Sequence, residues 1–444
     1  IGAGTEPHDY EPSAKAVATI QDADAFVYEN ENMETWVPEL LKTLKNKEET
    51  VIKATGDMLL LPGGEEEEDH DHGEEGHHHA YDPHVWLSPK RAIKMVEHIR
   101  DSLSKSYPDK KAAFEKNAAA YIKKLEALDK EYEDGLANAK QKSFVTQHAA
   151  FKYLALDYGL KQVPISGLSP DSEPSASRLA ELTEYIKKNK IKYIYFEENA
   201  SQALASTLAK ETGVELDVLN PLESLTEEQT KDGADYISIM QANLKALKKT
   251  TDQEGAEIAA EKEDDKTVQN GYFEDSAVKD RTLSDYAGEW QSVYPYLKDG
   301  TLDQVFDYKA KLTGKMTAAE YKDYYDKGYK TDVSNINITD KTMEFVVDGK
   351  SKKYTYKYVG KHTLTYSKGN RGVRFMFEAT DEDAGEYKYV QFSDHNIAPT
   401  KAAHFHIFYG GESQEALFDE LENWPTYYPS KLTGQEIAQE MLAH

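Results

Sequence analysis

The hydrophobic period of this chain changes once, near residue 250, and the two periods demand different architectures. Before that point, helical and strand patterns alternate. Residues 22–30 (DADAFVYEN) and 191–199 (IKYIYFEEN) are short β-branched and aromatic runs of the kind that buried parallel strands carry. Between them, over 109–140, Phe114, Ala118, Ile122, Leu125, Leu128 and Tyr132 recur every three or four residues among Lys and Glu. The spacing predicts one helix of roughly 45 Å, long for a helix that covers a single sheet and suited to a strut between two lobes. Residues 143–160 (SFVTQHAAFKYLALDYGL) follow as strand, loop and helix. Such alternation gives an α/β fold with parallel sheets. Residues 250–270 then carry almost no apolar period and many charges, which predicts a linker over 251–269 between a domain at 1–250 and another at 270–444. In the second domain, 341–379 is a run of short alternating strands cut by DGK, GK and KGNRG turns. A small barrel or sandwich is expected, closed by the helix TGQEIAQEMLAH with Thr433 as its N-cap.

Composition narrows the function. The net charge of −27 makes nucleic acid a poor partner, because phosphate repels such a surface. Cysteine is absent, so there is neither a disulfide framework nor a thiolate metal site, and soft-metal chemistry must come from histidine. No apolar run approaches the roughly 20 residues that span a bilayer.

The fourteen histidines are clustered. His70, His72, His77, His78 and His79 sit in the acidic stretch EEEEDHDHGEEGHHH, which has no apolar anchor and is expected to be disordered. It is either a solvated loop or an auxiliary metal-capture tract, too floppy to hold a fixed tetrahedron. His8 (EPHDYEP), His84 (YDPHVWLSP) and His148 (VTQHAAF) each lie in a short loop-like motif. Taken singly they are ordinary structural histidines; together they could converge at a cleft where loops leave the carboxyl ends of strands. In HFHIF, His404 and His406 are two apart, so on a strand they share a face, with Phe405 and Ile407 on the other. His395 is one strand and turn away. Three imidazoles there could bind zinc, or could be satisfied histidines on a wet face.

The motifs EPHDYEP, DPHVWLSP, TQHAAFKYLALDYGL, FEENAS and NPLESLTEE, with the acidic His-rich loop, resemble the zinc-specific solute-binding proteins of ABC transporters, the ZnuA type. From about residue 270, YAGEWQSVYPYLKDGTLDQVFDYKAK, GYKTDV, VQFSDHNIAPTKAAHFHIFYGG and NWPTYYPSKLTGQEIAQEMLAH resemble ZinT. The fusion is similar to a streptococcal class of zinc-binding lipoprotein. The resemblance implies a two-lobed α/β solute-binding domain with a long linking helix, followed by a lipocalin-like β-barrel. It implies cleft zinc on His8, His84, His148 and Glu223, and a second zinc on His395, His404 and His406 with its fourth ligand open. It further implies an extracellular, membrane-anchored monomer that hands zinc to an ABC permease without catalysis. The signal peptide, lipid-bearing cysteine and first strand–helix unit of that family do not precede IGAGTEP here, so part of the first lobe is expected to be missing. Two competing readings are a surface zinc hydrolase on the three barrel histidines and an adhesin with structural zinc.

Overall fold

A computed structural model describes residues 10–44, 50–63, 81–165, 175–198, 202–259 and 267–443. The chain divides into two compact units, Ile1–Glu261 and Lys262–His444. No described helix is long and apolar enough to cross a membrane.

The first unit holds two parallel sheets. One pairs β1 (Phe26–Tyr28) with β2 (Val51–Lys53). The other contains β3 (Ser143–Thr146), β4 (Lys161–Pro164), β5 (Tyr193–Phe196) and β6 (Glu215–Val218), in the order β4-β3-β5-β6. All four residues of β3 are buried, as expected of a strand covered on both faces. The long helix is present as Lys111–Leu136, after a short 3-10 turn over Pro108–Lys110. Its apolar stripe is buried mostly toward its C-terminal half, where Leu128, Tyr132 and Leu136 join Met240 and Leu244 in one cluster. The Tyr132 hydroxyl donates to the Met240 carbonyl at 2.7 Å, so the one polar atom of that buried ring is satisfied.

The run expected as a linker is docked at both of its described ends. On the first unit, Lys140 donates its backbone N–H to the Thr251 carbonyl, Gln141 donates to Ala256 O, and Ile258 is buried beside Ile186 and Ile194. On the second, Val268 and Gln269 line a cavity of the barrel, and just past the run Arg371 donates its backbone N–H to Gly271 O. Gly271 has φ +87° and a Cβ there would lie 2.3 Å from Arg371 O, so only glycine fits. One apolar side chain and a few backbone groups are too sparse to show as a hydrophobic period.

The second unit is a closed antiparallel barrel. Its strands are β7 (Gly288–Ser292), β8 (Val333–Ile338), β9 (Thr342–Val347), β10 (Lys350–Thr365), β11 (Arg371–Ala379), β12 (Tyr389–Ser393), β13 (Phe405–Gly410) and β14 (Thr426–Pro429). They close in the order β10-β11-β12-β13-β14-β7-β8-β9, so of the two expected all-β architectures the barrel is the one formed, leaving no free edge. Its core is aromatic, with Phe375, Phe392, Phe405 and Tyr427 fully buried. Each such ring contributes about 2–3 kcal/mol by burial. The C-terminal helix Gly434–Ala443 has Thr433 as N-cap: Glu436 N–H donates to Thr433 Oγ1 and Thr433 N–H to Glu436 Oε2.

Candidate metal centres

In the first unit, His84, His148 and Glu223 each offer one ligand atom within 4.8 Å of the others. His84 stands just before the turn Val85–Leu87 and is 2% exposed. Its Nδ1 lies 2.7 Å from Asp82 Oδ1 and its Nε2 lies 3.0 Å from Glu223 Oε1. Asp82 is itself fixed, since its N–H donates to Leu61 O and its carbonyl accepts from the Tyr153 hydroxyl. His148 leaves the end of β3, at the carboxyl edge of the parallel sheet. Its ring meets that of His84 edge-on at 5.0 Å, and its Nδ1 is in contact with Glu197 Oε1 and 3.8 Å from Glu223 Oε1.

Glu223 is positioned at a backbone cost. Leu222, immediately before it, sits at φ +56°, a conformation that bulky residues rarely adopt. Asn243, buried on the helix Tyr236–Thr251, accepts from Asn220 N–H and donates to Asn220 O. Asn220 Oδ1 in turn accepts from Leu222 N–H, and the Trp86 indole donates to Pro221 O. These four bonds hold the turn whose tip is the carboxylate.

Burial alone would lower the His84 imidazole, but hydrogen bonds to Asp82 and Glu223 outweigh it and hold the ring up to about 10. A proton therefore bridges Nε2 and Glu223 at neutral pH. A divalent ion held by these two side chains would have to displace it.

In the barrel, His395, His404 and His406 form the second group within 4.8 Å. Their ring centroids are 5.9, 5.6 and 5.9 Å apart, a nearly equilateral triangle. Strand alternation sets two of them: Phe405 and Ile407 are fully buried in the core, while His404 and His406 take the opposite face. The wet-face alternative does not describe His404, which is 8% exposed and stacked on Tyr428. His395 adopts φ +63°. The chain beside it is anchored by a fully buried ion pair, Asp394 Oδ1 to Arg281 Nη1 at 2.5 Å, with Arg281 Nη2 also donating to Thr400 O.

The tautomer of His406 follows from its neighbour. Thr426 Oγ1 lies 2.7 Å from His406 Nδ1 and donates its own proton to Trp424 O at 3.0 Å. It must accept from Nδ1–H, leaving the Nε2 lone pair free. Burial first, then repulsion by His395 and Arg374, holds His406 well below the usual imidazole value.

Of the residues named from sequence, six are thus brought into two groups. His8 and the loop histidines His70, His72, His77, His78 and His79 lie outside the described residues. Asp82, Glu197 and Thr426 are the supporting residues that sequence reasoning missed. Each lies inside a motif quoted above, but a hydrogen-bond partner of a ligand has no spacing rule that would single it out.

Residues 1–250 match the family described as zinc-uptake complex component A, periplasmic, and residues 264–444 match ZinT (YodA), periplasmic lipocalin-like zinc-recruitment. The chain is 81% identical to the zinc-binding lipoprotein AdcA of Streptococcus pneumoniae serotype 4, over all of this chain and 89% of that one. It is 63% identical to the zinc-binding protein AdcA of Streptococcus pyogenes serotype M1, over all of this chain and 88% of that one. The crystal structure of Zn(II)-bound AdcA from Streptococcus pneumoniae superposes with a TM-score of 0.92 at 78% identity, covering all of this chain and 94% of that one. The chain therefore belongs to the AdcA family of zinc-binding proteins, in which a ZnuA-type zinc-uptake domain is followed by a ZinT domain.

Proposed function

We propose that this chain captures zinc outside the cell, at one site in each unit, and delivers it to an ABC permease for import. The carrying observation is that each unit gathers three metal-competent side chains to within 4.8 Å, from three distant segments in the first unit and from two neighbouring segments in the barrel. His84, His148 and Glu223 hold the ion in the first unit, with His8 as a fourth ligand. His395, His404 and His406 hold it in the barrel. Imidazole with one carboxylate suits zinc, and four protein ligands close the tetrahedron with no position for an activated water. Membrane anchoring as a lipoprotein is supported by the name of the pneumococcal relative. A monomeric carrier, free to meet its permease, is the working form.

Carriage rather than hydrolysis is supported in the barrel too. No Asp or Glu among the described residues lines the cavity beside the triad, so no described carboxylate stands ready there as a general base. The test is a zinc titration of two double variants, His84→Ala with His148→Ala and His404→Ala with His406→Ala. Each should lose one tight site of two; unchanged stoichiometry in both would end the reading.

A further inference from the structure

We propose that the barrel triad takes zinc together with a small carboxylate anion, so that its substrate is a zinc–carboxylate complex held jointly by the three imidazoles and Lys309. This rests on the reading of His395, His404 and His406 as a zinc site. Three neutral imidazoles leave a bound Zn²⁺ with its full charge and one tetrahedral position to fill. In the first unit Glu223 brings a carboxylate to the imidazoles. Among the described residues no Asp or Glu joins the barrel group, so no described side chain fills that role there.

The space and its charge fit an anion. The triad opens on a cavity of about 600 Å³. One water needs roughly 30 Å³, whereas small-molecule pockets span roughly 300–1,000 Å³. Lys309, Arg371 and Arg374 line the cavity and no described acidic residue does, in a chain with 80 acidic residues against 53 basic. A wall shaped only to attract a dication would be acidic. Arg371 is matched by Asp275. Among the described residues Arg374 donates to neutral oxygens, those of Gln391, Leu417 and the Glu420 backbone. Lys309 sits 5.8 Å from the Tyr325 ring centroid and has no carboxylate within ion-pair distance among the described residues. Burial lowers its ammonium accordingly. Desolvated cations without counter-ions are costly, and an anion in the cavity offsets that cost. Trp424 beside His406 and Tyr428 beside His404 present flat apolar walls to the body of such a ligand.

Cobalt(II) and acetate provide the probe. The full chain carrying His84→Ala and His148→Ala, so that metal enters only the barrel, is loaded with Co²⁺ and titrated with acetate against a perchlorate background. The visible cobalt absorption should change saturably. Lys309→Gln should raise the half-saturating acetate about tenfold, the worth of one charge-assisted hydrogen bond, and Lys309→Arg should recover most of it. The reciprocal chain, His404→Ala with His406→Ala, should show no saturable change. A cobalt-loaded barrel indifferent to acetate would overturn the inference and leave the zinc site standing. So would a Lys309→Gln response equal to that of the unsubstituted lysine. A barrel that takes up no metal at all would remove the zinc reading and this inference with it. Should Lys309→Gln fail to fold, the acetate response of the unsubstituted barrel decides alone.

Discussion

Each candidate centre is braced by a side chain outside its own group of three, Asp82 in the first unit and Thr426 in the barrel. Thr426 can accept from His406 only because its own proton is committed to Trp424 O. Thr426→Val keeps the shape and removes the acceptor, freeing the ring to turn and to take the wrong tautomer. Barrel zinc affinity should fall about 10–100-fold, the usual effect of losing such a support, with the first-unit site unchanged; competition with a chromophoric chelator measures both. The two centres should also differ in protons released. At pH 8 the raised His84 is protonated and must give up about one proton to admit zinc, whereas the depressed His406 is already neutral. Calorimetry in buffers of different ionisation enthalpy should therefore show about one proton released by chains with only the first site and fewer by chains with only the barrel site. The same shift has a sign for the metal-free fold. The folded His84 value lies above the unfolded one, so its contribution is full below about pH 6.5. It is lost as pH rises toward 10. The motifs singled out the five histidines that the structure gathers into two groups; Asp82, Glu197 and Thr426 were not legible, because they act through geometry that only tertiary structure creates.

At the scale of elements, strand alternation and helical period carried the fold. The HFHIF pattern placed His406 on β13 and His404 just before it with the two imidazoles on one face, and the apolar stripe over 109–140 located the long helix to within a few residues at either end. What stayed hidden is the backbone strain. Four described non-glycine residues have positive φ; Leu222 lies immediately before Glu223, and His395 itself belongs to the barrel group. Neither leucine nor histidine advertises a left-handed turn, since the surroundings impose it. For Glu223 those surroundings reach back to Asn243, seven residues into a helix whose sequence looks like any amphipathic stretch. Asn243→Ala removes two buried hydrogen bonds to Asn220 and should cost about 1–3 kcal/mol of first-unit stability. Zinc affinity there should fall at least as far as that of a control of equal instability elsewhere, such as Leu182→Ala. Equal affinity in the asparagine variant and the parent would show that the turn holds itself.

For the whole molecule the question is whether metal builds the fold or visits it. The barrel core is a continuous hydrophobic cluster that includes Val278, Phe375, Phe405 and Tyr427, and the first unit buries Leu128, Tyr132, Phe144 and Met240 in a cluster of its own. Removing metal should leave these cores intact, in contrast to small domains whose folding energy is the metal's own. Chelated protein should keep its far-UV and near-UV circular dichroism and rebind zinc fully on readdition. The metal's contribution is then a mass-action term. At zinc about a thousandfold above Kd, each unit gains roughly 4 kcal/mol, and its melting midpoint should rise with free zinc rather than appear only in its presence. Because each unit has its own core and its own ligands, the His404→Ala with His406→Ala chain should lose the zinc-dependent rise of one transition and keep that of the other. A single transition that vanishes on chelation would make the ions structural and restore the adhesin reading against carriage.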